Sequence, residues 1–264
     1  MQNKQEIDSL GMEFGYELKV MLPWAYYLYK NGRLKRTISA IDTKHLYYFS
    51  PDHQEKYKTR RHVNLKNSAF PNKTPHAPAL DWAEWTPPPF KDKFYIGRTY
   101  DWIIFNKYTE EWGGKPINFL SVETLDAILE LIFSYDSEAK ILYSRMTDGA
   151  LDHQKTFILE NEDSLLEKYK VEKFEDINCQ SPNKLKMELM AGCDRFISVQ
   201  GGASVFASYF GKKNFIFVKK GSELVVNSYQ WFSKFSWAEI IVSQSDAALL
   251  NGLKKELKND SCSN

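Results

Sequence analysis

The chain has 264 residues, which at about 150 residues per domain means one large domain or two small ones. Hydrophobic residues at 43% and charged residues at 26% suit a chain that buries a core, which excludes disordered and fibrous classes. Lysine plus arginine total 35 against 34 for aspartate plus glutamate, and a net charge of +1 gives no support to a dedicated nucleic-acid binder.

In chain order, residues 16–31 (YELKVMLPWAYYLYKN) form an aromatic-rich segment between glycines and read as a mostly buried helix that Pro23 kinks or shortens. The uncharged run 20–29 inside it is far shorter than the about 20 residues of a membrane span, so no transmembrane helix is expected. Residues 36–41 (RTISAI) and 45–49 (HLYYF) read as strands. Six of the ten prolines fall between Phe70 and Phe90, so residues 70–92 read as a linker. It divides an N-terminal domain, 1–92, from a C-terminal domain, 93–264.

The second domain alternates regularly. Strands are expected at 102–105, 140–143, 171–174, 195–199, 214–218 and 239–242, and helices at 122–133, 164–169, 183–191, 203–210, 229–235 and 245–257. Short apolar strands alternating with helices predict an α/β fold with a parallel sheet covered on both faces, whose ligands bind beyond the carboxyl ends of the strands. Cys179, Cys193 and Cys262 form no framework spacing and read as thiols in a reducing compartment. The first residues lack a basic start and apolar stretch, so no secretion signal is expected and the location is read as cytoplasmic.

The segment Gln200-Gly201-Gly202-Ala203-Ser204 carries the strongest chemical signal. A strand runs through two glycines into a helix, leaving amides that can receive an anion such as a diphosphate. No dinucleotide fingerprint, phosphate loop or complete nucleophile elbow is present. The five histidines make no metal-binding pair, and Asp-x-Asp does not occur, so no metal and no cofactor are expected. Lys107 and Arg145 each follow a strand and are candidates to neutralise a phosphate.

Several segments together carry a resemblance: Phe14-Gly15-Tyr16-Glu17-Leu18, Tyr47-Tyr48-Phe49-Ser50-Pro51-Asp52-His53, Asn106-Lys107-Tyr108 with Glu111-Trp112-Gly113-Gly114-Lys115-Pro116, and Ser198–Ser204 with Gly221-Ser222-Glu223. The chain resembles small glycosyltransferases of the GT-B type, built from two Rossmann-like domains whose parallel sheets face a cleft, as found in bacterial surface-glycan clusters and large viruses. It is partly similar to fucosyltransferase-like enzymes, with Ser144-Arg145 where those carry His-x-Arg.

That resemblance implies a donor in the second domain, UDP- or GDP-linked and carrying a sugar such as xylose or fucose, and a glycan acceptor in the first. The departing diphosphate would meet Gln200, Gly201, Gly202, Ala203 and Ser204 with Lys107 and Arg145, while Glu223 would accept donor hydroxyls. An inverting, metal-independent transfer needs a base, for which Asp42, His53 and Glu17 are the candidates. An α/β hydrolase or a non-catalytic carbohydrate-binding module are the alternative readings.

Overall fold

The structure, a computed structural model, describes residues 4–10, 12–58, 87–110, 114–145, 157–225 and 229–261. The chain enters through β1 (Gln5–Asp8) and then a long helical stretch. There α1 (Phe14–Tyr16) continues through a π turn (Glu17–Met21) into α2 (Leu22–Lys30). Pro23 explains the π turn. A proline has no N–H to give the preceding turn and its ring collides with the carbonyl four residues back, so a wider turn there lets the helix continue.

β2 (Leu34–Ala40) and β3 (His53–Tyr57) complete a three-stranded parallel sheet, β1-β2-β3. Here the expectation needs correcting. Residues 45–49 are turns, stapled by Leu46 N–H to Thr43 O at 2.9 Å and Tyr47 N–H to Lys44 O at 3.1 Å. Leu46, Tyr47 and Phe49 are buried in the core shared with α2, whereas polar HQEKY makes the edge strand with its middle residues exposed. Apolar content marked burial in this segment and not strand. β1 was not expected at all.

Of the expected linker, residues 70–86 lie outside the described residues, and the rest leads into α3 (Phe90–Phe94), whose two phenylalanines are buried. The remaining elements are β4 (Trp102–Phe105), α4 (Val122–Tyr135), β5 (Ile141–Ser144), α5 (Glu162–Lys168), β6 (Glu172–Lys173), α6 (Pro182–Ala191), β7 (Arg195–Val199), α7 (Gly202–Ala207), β8 (Lys213–Phe217), α8 (Ser222–Val225), α9 (Tyr229–Ser236), β9 (Glu239–Ser243) and α10 (Asp246–Ser261). The six strands pair in parallel in the order β6-β5-β4-β7-β8-β9. The alternation read from sequence is therefore present, with β6 cut to two residues.

Both faces of this sheet are covered. Trp102, Ile104, Ile197 and Phe215 pack with α4 and α10 on one side. Ile103, Phe105, Phe196 and Ile216 point to the other, into a core that also takes Ile7, Phe14, Leu18, Leu34 and Tyr47 from the N-terminal unit. Aromatic contacts join the units: Phe14 meets Phe206 edge-on at 5.5 Å and Phe90 meets Tyr209 at 5.0 Å. Tyr209, fully enclosed, donates its hydroxyl to Leu18 O at 2.8 Å. At about 1.5–3 kcal/mol for each large side chain buried, this seam holds the two sheets in fixed relation. Among the described residues no helix is long and apolar enough to cross a membrane.

Candidate functional site

Counted in the order the chain makes them, the six strands stand 3-2-1-4-5-6, so the strand order reverses between β4 and β7. Connections leave β4 and β7 in opposite directions there, opening a crevice at their carboxyl ends. Asn106 and Lys107 follow β4, and Gln200, Gly201 and Gly202 follow β7. Gly201 has φ +120°, a conformation that only glycine adopts without strain, and it turns the strand directly into α7. The amides of Gly202, Ala203 and Ser204 belong to a first helical turn, which has no intrahelical acceptor for them.

Side-chain bonds fix the rim of this crevice. Asn118 accepts from Lys219 N–H at 2.8 Å and Lys220 N–H at 3.1 Å, and donates to Lys220 O at 2.7 Å and Gln200 Oε1 at 3.3 Å. Gln200 donates in turn to Glu223 Oε2 at 2.9 Å. The other oxygen, Oε1, receives Lys19 Nζ from the N-terminal unit at 3.4 Å. Three loops of the second unit and the π turn of the first thus meet in one polar chain.

Backbone also closes in here. A Cβ on Gly202 would lie 2.7 Å from the Phe14 ring, and one on Gly15 would lie 3.4 Å from Gly202 Cα and 2.9 Å from Glu13 Oε1. Two glycines permit this approach, and Glu13 stands beside it. Its carboxylate caps α1 by accepting from Gly15 N–H at 3.0 Å.

No family model, curated protein or solved structure matches this chain. The site's chemistry therefore rests on its own geometry. Among the described residues no group of three or more His, Cys, Asp or Glu could hold a metal ion.

The structure brings together Lys107, Gln200, Gly201, Gly202, Ala203, Ser204 and Glu223 at the carboxyl ends of the central strands. The Ser204 hydroxyl, however, turns back to Gly201 O at 2.8 Å, and the residue is buried. Arg145 lies elsewhere. Its guanidinium bonds Glu162 Oε2 at 2.7 Å and Asp163 Oδ1 at 2.8 Å, beside β5 and away from the crevice between β4 and β7.

None of the three expected bases meets the crevice. Glu17 is wholly buried and accepts at Oε1 from Ser39 Oγ at 2.7 Å and Tyr47 OH at 2.5 Å, inside the N-terminal unit. His53 stacks on Tyr47 at 5.2 Å, with Nδ1 2.7 Å from Thr37 Oγ1 and Nε2 buried without a hydrogen-bond partner among the described residues. Burial chiefly, against the opposing pull of Glu55 and Glu17, holds its pKa below the usual value, so the ring is neutral at pH 7.

Asp42 has φ +57° and bonds α6 from across the chain: Oδ1 takes the Ser181 hydroxyl and Oδ2 takes Asn183 N–H at 3.0 Å. This is a capping role performed from another segment. Asp42→Ala is expected to cost about 0.5–2 kcal/mol in urea unfolding while leaving ligand affinity at the crevice unchanged. A loss of activity with stability intact would restore Asp42 as a base.

Lys19, Asn118 and Glu13 are the site residues that sequence reasoning missed. Lys19 sits in a helix read as buried, and Asn118 acts only through loops distant in sequence. For Glu13 a signal exists: it lies two residues before Gly15, where a helix start needs a cap.

Proposed function

We propose that the chain is a glycosyltransferase of GT-B-like design, moving a sugar from a nucleoside-diphosphate sugar, UDP- or GDP-linked, onto a glycan hydroxyl. The observation that carries this reading is the strand-order reversal at β4 and β7, where Gly201–Gly202 and the Asn118–Gln200–Glu223–Lys19 chain converge with the helical stretch of the N-terminal unit docked against them. Crevices at that position of a doubly wound sheet are where nucleotides bind. The three-stranded unit lies across from it and supplies Lys19 and Glu13.

In this reading the donor diphosphate lies against the Gly202–Ser204 amides, and its growing charge at the transition state is met by those dipoles and by cationic side chains, with Lys107 as the second cation. Gln200 and Glu223, held by Asn118, orient donor hydroxyls. The base must come from the acceptor side. Glu13 fits, since its carboxylate stands beside Gly202 without being enclosed, whereas Asp42 caps a helix and Glu17 is buried. One displacement assisted by one base inverts the anomeric centre.

The test is to incubate the full chain with UDP- and GDP-sugars, with and without EDTA, and to measure release of the nucleoside diphosphate. One donor class is expected to be consumed, at a rate that EDTA leaves unchanged. Loss of turnover in EDTA with recovery on adding Mn²⁺ would sink the metal-independent account; turnover of neither class would sink the transferase.

A further inference from the structure

The amino ends of the strands in the second sheet, opposite the crevice, carry apolar side chains that the core does not use. Trp237, in the turn from α9 into β9, is 87% exposed and has φ +61°. That left-handed conformation suits glycine and strains a bulky residue. An indole placed there neither fills the core nor eases the turn.

Trp237 has company. Tyr95 and Ile96, between α3 and β4, are 58% and 62% exposed. Backbone bonds tie these segments along one edge: Glu239 N–H donates to Lys212 O at 2.7 Å, Lys212 N–H to Asp194 O at 2.8 Å, and Thr99 N–H to Gly192 O at 3.1 Å. Neighbouring strands lie about 4.8 Å apart, so the starts of β4 and β9, with β7 and β8 between them, are about 14 Å apart. Single exposed apolar side chains are ordinary, whereas Tyr95, Ile96 and Trp237 grouped on one edge mark a contact surface.

The charges around the group say what it meets. Asp194 is paired with two cations, Lys91 at 2.5 Å and the well-exposed Lys212 at 3.0 Å. Arg98 pairs with Asp101, but the arginine side chain is 73% exposed and the aspartate only 18%, so it is the cation that faces outward. Lys93 and Lys234 are exposed as well, against the acids Asp92 and Glu239, the latter held by Lys213 at 3.3 Å. Six bases thus stand against four acids, and the edge leans positive. In front of β5 it turns mixed, with Asp136 and Glu138 exposed beside Lys140, which confines the positive region to the side that carries Trp237.

We propose that this edge docks on a bilayer surface containing anionic lipid. Tryptophan and tyrosine, with an apolar body and a polar tip, settle at the level of the headgroups, and isoleucine enters the acyl boundary. Each lysine or arginine beside them meets anionic headgroups and raises the partition about fivefold. A second copy of the chain would set the same positive edge against itself, whereas an anionic bilayer complements it. The crevice opens at the opposite ends of the strands, so docking leaves it uncovered, and the proposal stands apart from the transferase reading.

The experiment is co-sedimentation of the full chain with sucrose-loaded vesicles of phosphatidylcholine, alone or mixed with phosphatidylglycerol. Binding to the mixed vesicles is expected to exceed that to phosphatidylcholine at least about tenfold, and to fall as salt rises towards about 1 M. Trp237→Gly is expected to lower the partition at least about tenfold, and Lys212→Gln about fivefold. Because glycine fits φ +61°, the Tm of Trp237→Gly should equal or exceed that of the wild type, which separates lost docking from lost folding.

Wild-type chain that stays in the supernatant, equal binding to the two kinds of vesicle, or undiminished binding by Trp237→Gly overturns the proposal. A dimer in solution that Trp237→Gly dissociates would overturn it as well, by giving this edge a second copy as its partner.

Discussion

Replacing Arg145 with methionine should lower the stability of the chain by about 3–5 kcal/mol in urea unfolding, with affinity at the crevice unchanged. Arg145 and Glu162 form an ion pair with side chains 7% and 3% exposed, joined at 2.7 Å. The Tyr143 hydroxyl donates to the same glutamate from a ring that is entirely enclosed. Methionine keeps much of the volume but leaves the Glu162 carboxylate buried with only that hydroxyl as a side-chain donor among the described residues, and an uncompensated buried charge is among the costliest of point defects. Adding Glu162→Gln to Arg145→Met should recover part of the loss, since the charge that lacked a partner is then gone. If Arg145 instead served a diphosphate, its removal would weaken ligand binding and spare stability.

The same cluster gives the fold a small dependence on acid through Asp163. Burial opposes the charge on Arg145, but its bonds to Asp163 and Glu162 outweigh that and raise its pKa. Asp163, bonded by Arg145 and Lys173, is held below the ordinary aspartate range. Because the folded value is the lower one, the contribution of Asp163 is complete above the unfolded aspartate pKa and is lost as the pH falls through the folded one. Asp163 is 45% exposed, so solvent screening keeps that contribution small beside the buried Glu162 pair.

Arg145 also shows where reading a sequence stops. The strand before it was legible because Ile141, Leu142 and Tyr143 are apolar and buried on both faces, and the same signal exposed β4, β7 and β8. A parallel sheet writes its strands as apolar runs, so its alternation with helices can be read without knowing what pairs with what. Side-chain partners are different. The carboxylates that engage the Arg145 guanidinium lie 17 and 18 positions onward in α5, and no local pattern distinguishes an arginine meeting a carboxylate from one awaiting a phosphate. Gly201 was legible for the opposite reason, since its turn conformation is a local demand that its own residue type answers. β3 stayed hidden because an edge strand that faces solvent can be built from HQEKY, and the buried aromatics just before it serve a turn. Lys19 required knowing that a helix in one unit passes the end of a strand in the other.

On the proposed transferase reading, changing Glu13 to glutamine should reduce kcat for sugar transfer by about 10²–10⁴ while leaving donor affinity and Tm close to wild type. The substitution separates two roles that one side chain holds. Glutamine keeps a carbonyl oxygen able to accept from Gly15 N–H, so the cap on α1 survives, but it cannot take a proton from an acceptor hydroxyl. Glu13→Ala would remove both, lowering stability as well as rate and so confusing them. Loss confined to kcat is the signature of a group that acts only on the transition state, and a rise in KM at unchanged kcat would show that Glu13 merely holds substrate. Wild-type turnover in Glu13→Gln would end its role as base and return the search to the acceptor-side loops. The position explains why a single methylene matters there: Gly15 and Gly202 approach so closely that a side chain on either would press on Glu13 or Phe14. Gly15→Ala, which sets a Cβ 2.9 Å from Glu13 Oε1, should therefore reproduce the loss of rate without touching the carboxylate's chemistry, by moving it off line.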